Sequence, residues 1–426
     1  MIIMTNPRKL AANVLTKIER DGAYSNITLA AELKDSDMSP ENKKLTSALV
    51  YGVLDRKITL DYVLSRFMKT PIKKTAPYTL QVLRCALYQI MYMDKIPDSA
   101  AVNEAVKLIK KSKESRNSGF VNAVLRSALR EEKLLPEGDG VKDLSIRYSC
   151  PEWITDSFIK DYGTENAVAL LEESLKAPPV TLRVNTVKIS SDELIEKLKA
   201  EGITAVKGDV ENSLILEKGT DIGGCDLFRQ GFFHVQDTAS QKAVAVLAPK
   251  PSERVLDICS APGGKSFTMA QILENKGEII ACDLYEHKLK LISDSAQRLS
   301  LNIIKATLND ATVYNHDLGE FDKVLCDVPC SGLGVIRRKP EIKYKPIEDF
   351  GELEKIQYSI LENAVKYLKS GGSILYSTCT LRRNENENQI NRFLENHKEF
   401  SKEYEHTFMP HTDSTDGFYC SLLVKR

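Results

Sequence analysis

The chain has 426 residues, of which 42% are apolar and 28% charged, and its 59 Lys and Arg balance 59 Asp and Glu. That length exceeds one ordinary core and predicts two or three domains of a globular protein. No run of about 18 apolar residues occurs, and Met1-Ile-Ile-Met4 is followed closely by Pro7-Arg8-Lys9, which argues against a membrane span or signal peptide and for the cytoplasm. The nine cysteines are scattered without a Cys-x-x-Cys, so a disulfide framework or a zinc site is not expected. The neutral total hides an asymmetry: residues 1–135 hold 23 Lys and Arg against 14 Asp and Glu, a net of +9, which leaves −9 for the rest. A basic lobe of this kind suits an anionic partner or a solvated helical surface.

Residues 1–135 read as a helical domain. Ala11, Val14, Leu15 and Ile18 recur at helical spacing, as do Val102, Ala105, Val106 and Ile109, and then Val121, Val124, Leu125 and Leu129. Ser39-Pro40-Glu41 is a helix start with Ser39 as N-cap. Basic clusters at Lys73-Lys74 and Lys110-Lys111-Ser112-Lys113 are placed to meet phosphates, a contact that gives affinity without sequence choice. Turn residues in Leu134–Gly140 predict a linker over 136–149.

A small α+β domain is expected over 150–229. Cys150-Pro-Glu-Trp153 opens a helix, Val180–Asn185 alternates like a strand, a helix covers Leu194–Leu198, and Leu214-Ile-Leu216 is a strand. From 230 to 426 strands and helices alternate. Strands are predicted at Val255–Cys259, Glu278–Cys282, Asn302–Lys305, Phe321–Cys326 and Ser373–Tyr376, with helices near Phe267–Leu273, Tyr285–Leu299 and Leu353–Leu368. That alternation predicts a mostly parallel α/β sheet with helices on both faces, a Rossmann-like domain.

Between the first strand and helix of this domain lies Cys259-Ser260-Ala261-Pro262-Gly263-Gly264-Lys265. A phosphate loop of the Walker type would need glycine where Cys259 stands, and the dinucleotide pattern Gly-x-Gly-x-x-Gly is absent. What remains is a glycine turn opening a helix, with Asp283 about 20 residues on, where a carboxylate reaches ribose hydroxyls. This geometry suits a nucleoside cofactor without a pyrophosphate, such as S-adenosylmethionine. Asp310, at the end of the third strand, is placed to accept from an adenine amino group, although Asn309-Asp310 also reads as a surface turn.

Two cysteines stand in distinctive settings: Cys330 in Asp327-Val-Pro-Cys-Ser-Gly332 and Cys379 in Tyr376-Ser-Thr-Cys-Thr380. Cytosine C5 is a poor nucleophile, and a thiolate adding to C6 supplies the electron density it lacks. One cysteine suffices for that step, so a second beside it suggests divided labour. The chemistry alone does not say which attacks.

At these motifs the chain resembles the bacterial ribosomal RNA cytosine-C5 methyltransferases of the RsmB (Sun/Fmu) group. The resemblance rests on Asp257-x-Cys-x-Ala-Pro-Gly-Gly-Lys265, Asp327-x-Pro-Cys-Ser-Gly332 and Tyr376–Thr380. It extends to Phe232–Asp237, a lead-in to the catalytic domain, and to Gly119–Arg126 in a region similar to a NusB-like RNA-binding domain, so that it covers essentially the whole chain. Ser260, where the group often has Ala, is a small departure. The resemblance implies that Cys379 is the nucleophile and that Cys330 assists release of the product. It implies that Asp327 meets the cytosine N3 edge or the methionine end of the cofactor, and that Lys265 and the Cys259–Gly264 backbone line the cofactor pocket. Asp283 would bind the ribose and Asp310 the adenine. It implies an RRM-like small domain, S-adenosylmethionine as cofactor, a cytosine in small-subunit ribosomal RNA as substrate, and a metal-free monomer in the cytoplasm.

A thiol of pKa about 8.5 is only a few per cent thiolate at pH 7, so Cys379 would gain from nearby positive charge or a helix N-terminus. Lys265, Arg337-Arg338 and a helix start at Asn384-Glu-Asn-Glu-Asn388 are the candidates. The target base must be unstacked, and Arg337-Arg338-Lys339 is placed to hold flanking phosphates. Three rival readings are the same chemistry on transfer RNA, an RNA-binding factor with an inactive methyltransferase domain, and a nucleotide hydrolase. Intact Asp257, Asp283, Asp327, Cys330 and Cys379 argue against the second, and Cys259 against the third.

Overall fold

A computed structural model gives the fold and describes residues 6–22, 25–217, 222, 224–345 and 350–426. Met1-Ile-Ile-Met4, read above for targeting, lies outside them, as do parts of the 150–229 region at 218–221 and 223. The chain forms two compact units, Met1–Leu175 with Ile336–Lys345, and Lys176–Val335 with Pro346–Arg426.

The first unit is helical: α1 (Pro7–Asp21), α2 (Ser25–Lys34), α3 (Pro40–Asp55), α4 (Lys57–Phe67), α5 (Pro77–Tyr92), α6 (Asp98–Lys110), α7 (Ser118–Ala128), α8 (Val141–Tyr148) and α9 (Glu152–Glu173). Local sequence sets the helix ends. Asn6 accepts from the Arg8 and Lys9 N–H groups at the start of α1, Pro7 occupies the first turn, and Gly22 closes the helix at φ +61°. Ser39 caps α3 by accepting from the Asn42 N–H. The apolar stripes meet in one core, with Leu15, Leu49, Leu60, Leu83, Ile109 and Leu125 nearly or fully buried. Leu129, expected to continue the α7 stripe, lies just past the helix end and is exposed.

Two expectations are corrected here. The stretch 136–149 is not a plain linker, because α8 buries Leu144 and Ile146 and Thr59 Oγ1 donates to the Ile146 carbonyl. Ile336–Lys345 also belongs to this unit: Lys343 Nζ donates to the Asp55 carbonyl at 2.9 Å and the Tyr344 hydroxyl to the Leu54 carbonyl at 2.9 Å. Arg337 and Arg338 are accordingly half-buried and partnered, which leaves Lys339 as the open cation of that run.

The second unit holds two sheets. The smaller is antiparallel, with β1 (Thr181–Val184), β2 (Ala205–Lys207), β3 (Ser213–Leu216) and β4 (Phe233–Val235) in the order β2-β3-β1-β4. Leu182, Val184, Leu214 and Phe233 pack on one face with Leu194 and Leu198 of α10 (Ser191–Ala200) and Leu227 of α11 (Asp226–Arg229). A capping box, Ser190 with Glu193, starts α10. The other face turns Arg183 and His234 toward α13 (Gly264–Ile272), which follows α12 (Thr238–Leu247). There Arg183 Nε donates to Gln271 Oε1 at 3.2 Å, and the His234 ring meets Phe267 edge-on. Phe232–Asp237 therefore does not simply lead into the catalytic part at 230, because β4 pairs with β1 and completes the small sheet.

The larger sheet contains β5 (Arg254–Asp257), β6 (Glu278–Asp283), β7 (Ile304–Leu308), β8 (Phe321–Asp327), β9 (Leu368–Thr378), β10 (Phe400–Phe408) and β11 (Phe418–Lys425). Its order is β10-β11-β9-β8-β5-β6-β7; β5 to β9 pair in parallel and the β9-β11-β10 edge is antiparallel. Strand alternation divides the apolar residues between two cores. Leu256, Ile280, Val324, Ile374 and Tyr376 face Ile360 and Leu361 of α15 (Phe350–Ala364) and Phe393 of α16 (Glu387–Asn396). Val255, Ile279, Ala281, Leu325 and Leu375 face Val244 of α12, Met269 of α13 and Ile292 of α14 (Glu286–Leu299). A single turn, α17 (Pro410–Asp413), joins β10 to β11. Among the described residues no helix is long and apolar enough to cross a membrane.

Leu325 is fully buried on the central strand β8. Leu325→Ala should lower the stability of this unit by about 2–5 kcal/mol through the cavity it leaves, read as a fall in the urea midpoint at unchanged slope.

Candidate active site

Chain order switches at β5, which has β6 on one side and β8 on the other, so a crevice is expected outside the carboxyl ends of these strands. The loop after β5 turns within it. The Ser260 N–H donates to the Cys282 carbonyl and the Gly263 N–H to the Ser260 carbonyl, both at 2.7 Å, and the Ala261–Pro262 peptide is cis. Gly263 opens α13 at φ +104°, and a Cβ there would run into the Phe267 ring, so both angle and space require glycine. Ser266 Oγ donates to Asp257 Oδ2 at 2.6 Å and lies 3.0 Å from Ser260 Oγ. Asp257 Oδ1 is buried with no partner among the described residues. Burial, aided by the nearby Asp327 charge and opposed by the Ser266 bond, pushes the Asp257 carboxyl up to about 7. Burial also holds the Cys259 thiol well above its ordinary range.

Asp283 ends β6, and its Oδ1 accepts from the Tyr285 N–H at 3.1 Å with Lys288 Nζ at 3.4 Å. The Asn309 N–H donates to the Asp283 carbonyl, which ties the end of β7 beside it. Asp310 is exposed, and its Oδ1 accepts from the N–H and the hydroxyl of Thr312. Next to them lies a cavity of about 670 Å³ lined by Leu284, Leu308, Asp310, Val313 and Tyr314. Leu284, Leu308 and Val313 are each more than half exposed, and the buried Asn309 Nδ2 has no partner among the described residues. An apolar slot edged by carboxylates and an unpaired amide fits a nucleoside.

On the other side of β5, β8 and β9 run parallel with Asp327 opposite Ser377. Ser377 Oγ donates to Asp327 Oδ1 at 2.7 Å, and Lys265 Nζ pairs with Asp327 Oδ2 at 2.7 Å. The two chains leave these strand ends in step, which brings Cys330 Sγ within 3.3 Å of Cys379 Sγ. The Cys330 thiol is held well above its ordinary range, first by the hydrogen bond with Cys379 and by burial, with the Cys379 and Glu385 charges adding to both. Burial opposes charge on Lys265, but the Asp327 carboxylate, with Cys379 contributing, leaves its pKa above the ordinary value. The lysine ammonium and the Cys379 sulphur therefore favour each other's charged forms.

Sequence reasoning missed the frame behind these sulphurs. Glu385 is fully buried; its Oε2 accepts from the Ser331 N–H at 2.8 Å and from Gln357 Nε2 at 2.9 Å, and its Oε1 from Arg382 at 3.1 Å. Asn386 accepts from Thr378 Oγ1 and donates to the Thr380 carbonyl, which fixes both neighbours of Cys379. Gly334 donates to the Cys379 carbonyl and accepts from the Gly417 N–H, and a Cβ on Gly334 would strike the Gly417 carbonyl. The polar run Asn384–Asn388, read only as a helix start, was the available signal. Among the described residues no three His, Cys, Asp or Glu side chains gather as a metal site would require.

Comparison with known proteins follows the same division. Residues 244–424 match the model of the 16S rRNA methyltransferase RsmB/F family, residues 5–130 that of the NusB family, and residues 150–223 that of a RsmF/B-like ferredoxin-like domain. The last of these includes α9, although α9 packs with the helical unit. The chain is 40% identical to a probable ribosomal RNA small subunit methyltransferase B of Bacillus subtilis (strain 168), over 99% of both chains. It is 32% identical to the ribosomal RNA small subunit methyltransferase B of Proteus mirabilis (strain HI4320), again over 99% of both. Among solved structures it is similar to PH0851, with a TM-score of 0.84 and 25% identity over 99% of this chain and 100% of that one. It is also similar to a methyltransferase homologue from Pyrococcus horikoshii, with a TM-score of 0.61 and 27% identity over 67% of this chain and 99% of that one.

The raised Asp257 gives a test in pH. In the unfolded chain this carboxyl loses its proton near 3.8, whereas in the folded chain it keeps it to about 7. Between those values the folded state binds more protons, so its contribution to stability falls as pH rises. Asp257→Asn removes that contribution, and its melting temperature should fall less than that of the unsubstituted protein across this window. Equal slopes would rule the assignment out.

Proposed function

Since the chain belongs to the ribosomal RNA small subunit methyltransferase B family, we propose that it methylates C5 of a cytosine in small-subunit ribosomal RNA, through a covalent adduct formed by Cys379. The observation that carries this reading is the 3.3 Å approach of Cys330 and Cys379 beside the Lys265–Asp327 pair. S-adenosylmethionine, when bound, supplies an electrophilic methyl group. The Cys259–Gly264 turn, Lys265, Asp283 and Asp310 would hold it, Asp283 toward the ribose hydroxyls and Asp310 toward the adenine amino group; the apolar slot and the glycine cradle support that fit.

Cys379 gives its proton up to solvent and adds as thiolate to C6, with Lys265 stabilising the negative sulphur. The C5–C6 bond pair then makes C5 nucleophilic, and C5 takes the methyl. Asp327, oriented by Lys265 and Ser377, would meet the N3 edge of the base or the methionine end of the cofactor. After C5 loses its proton, the C6–S bond breaks and its electron pair returns to Cys379. Cys330, kept as a neutral thiol, donates to that leaving sulphur and eases its departure.

The basic helical unit supplies phosphate contacts. Arg183 and His234 of the small sheet are buried against α13, so that face of the sheet is not open for stacking bases. The enzyme works as a monomer in the cytoplasm, where both thiols stay reduced.

Labelled methyl from S-adenosylmethionine should appear as 5-methylcytidine in small-subunit RNA and not in transfer RNA; the reverse would keep the chemistry and overturn the substrate. Cys379→Ala should abolish turnover and adduct together. Cys330→Ala should accumulate an RNA–protein adduct that survives a denaturing gel, and a swap of these two phenotypes would exchange the roles.

A further inference from the structure

A fully buried carboxylate lies behind the Cys330 loop, and no step above uses it. Glu385 can only accept hydrogen bonds, and three donors converge on it: the Ser331 N–H at 2.8 Å, Gln357 Nε2 at 2.9 Å and Arg382 Nη1 at 3.1 Å. The first belongs to the residue after Cys330. Gln357 Nε2 also donates to the Pro329 carbonyl at 3.0 Å, on the residue before it. Cys330 is thus held from both sides by one carboxylate, directly through Ser331 and through Gln357 at Pro329. Arg382 fixes the carboxylate from the far side and pairs in turn with Glu354 at 3.1 Å. The Tyr376 hydroxyl, on the strand that carries Cys379, donates to the Glu385 carbonyl at 2.7 Å. Ser331 Oγ and Thr380 Oγ1, 2.7 Å apart, tie the two cysteine loops to each other.

We propose that Glu385 is a positioning residue for product release, holding the Pro329–Ser331 segment so that the Cys330 thiol stays within hydrogen-bond reach of Cys379. This rests on the release role given to Cys330 above. A buried loop N–H without an acceptor is costly, and the loop without Glu385 would shift to satisfy it. A displacement of about 1 Å at a reacting group can cost on the order of 100-fold in rate. Cys379 keeps ties of its own, since Asn386 accepts from Thr378 Oγ1 and donates to the Thr380 carbonyl, so attack should suffer less than release.

The test uses the full-length protein and small-subunit RNA. Glu385→Ala should leave single-turnover adduct formation and both KM values near those of the unsubstituted enzyme. It should lower kcat by roughly 10–100-fold and accumulate the denaturation-stable adduct, as Cys330→Ala does. Glu385→Gln, which keeps an oxygen for the Ser331 N–H, should restore part of kcat. The double variant with Cys330→Ala should be no slower than Cys330→Ala alone, since both act on one step. If Glu385→Ala does not fold, judged by its thermal transition, Gln357→Ala should show the same phenotype at smaller amplitude. Equal losses in adduct formation and turnover, or multiplicative losses in the double variant, would overturn the proposal while Cys330 keeps its role. No adduct from Cys330→Ala itself would overturn the release reading and this proposal with it.

Discussion

Much of the candidate site depends on the parallel pairing of β8 with β9. Asp327 and Ser377 are 50 positions apart in the chain and opposite each other in the sheet, joined through their side chains at 2.7 Å. The Val328 N–H then donates to the Ser377 carbonyl, which carries the pairing one residue past the strand. From these anchored ends it is three residues to Cys330 and two to Cys379. A slip of one residue in this register would turn each side chain to the opposite face and separate the sulphurs. The register is fixed by burial on both faces, with Val324, Cys326, Ile374 and Tyr376 on one side and Leu325 and Leu375 on the other.

The catalytic sheet was legible in the sequence wherever strands were short apolar runs bounded by turns. Val255, Ile279 and Val324 begin or occupy strands near their expected places because parallel strands buried on both faces are nearly continuous in hydrophobic residues. β7 began later than expected: Asn302 and Ile303 form a turn, with the Asn302 N–H bonded to Asn275 Oδ1, and the strand runs on to Leu308 with much of it half-exposed. The β10–β11 pair escaped notice because Phe400–Phe408 carries charge along most of its length, as an edge strand can. β4 was hidden by brevity. Three residues leave no readable period, and only pairing with β1 defines it.

The site residues were legible as motifs, and their support was not. The glycine turn, the acids at strand ends and the two cysteines are local in sequence. Glu385 is a common surface residue type in a polar run, and its burial depends on Ser331 and Gln357, which arrive from two other places in the chain, as well as on its neighbour Arg382. The role of Gly334 is equally invisible from sequence, since it consists of the closeness of the Gly417 backbone. The linker failed for a related reason. The turn residues Glu137–Gly140 are polar as expected, but Leu134 and Leu135 pack against the helical core, and Leu144 and Ile146 gain burial against α4 and α9 and so form a helix.

Within the proposed chemistry, the electrostatics would favour two thiols over one. A single cysteine must be anionic to attack C6 and anionic again when it leaves, so any group that stabilises the thiolate assists both passages. Lys265 is such a group, and its charge is secured by Asp327 in spite of burial. A second thiolate beside the first would be opposed by the same Coulomb term that favours the first, and Glu385 adds to that opposition. The pair therefore holds one proton more firmly than either cysteine would alone, and on the Cys330 side the bond with Cys379, burial and the Glu385 charge all favour the neutral thiol. A neutral donor fixed 3.3 Å from the working sulphur is present at attack and at departure without itself competing for the base. The surroundings of the two chemically identical side chains differ, with a lysine ammonium whose field reaches Cys379 and a buried carboxylate behind the Cys330 loop, and the proposed division of labour would draw on that difference.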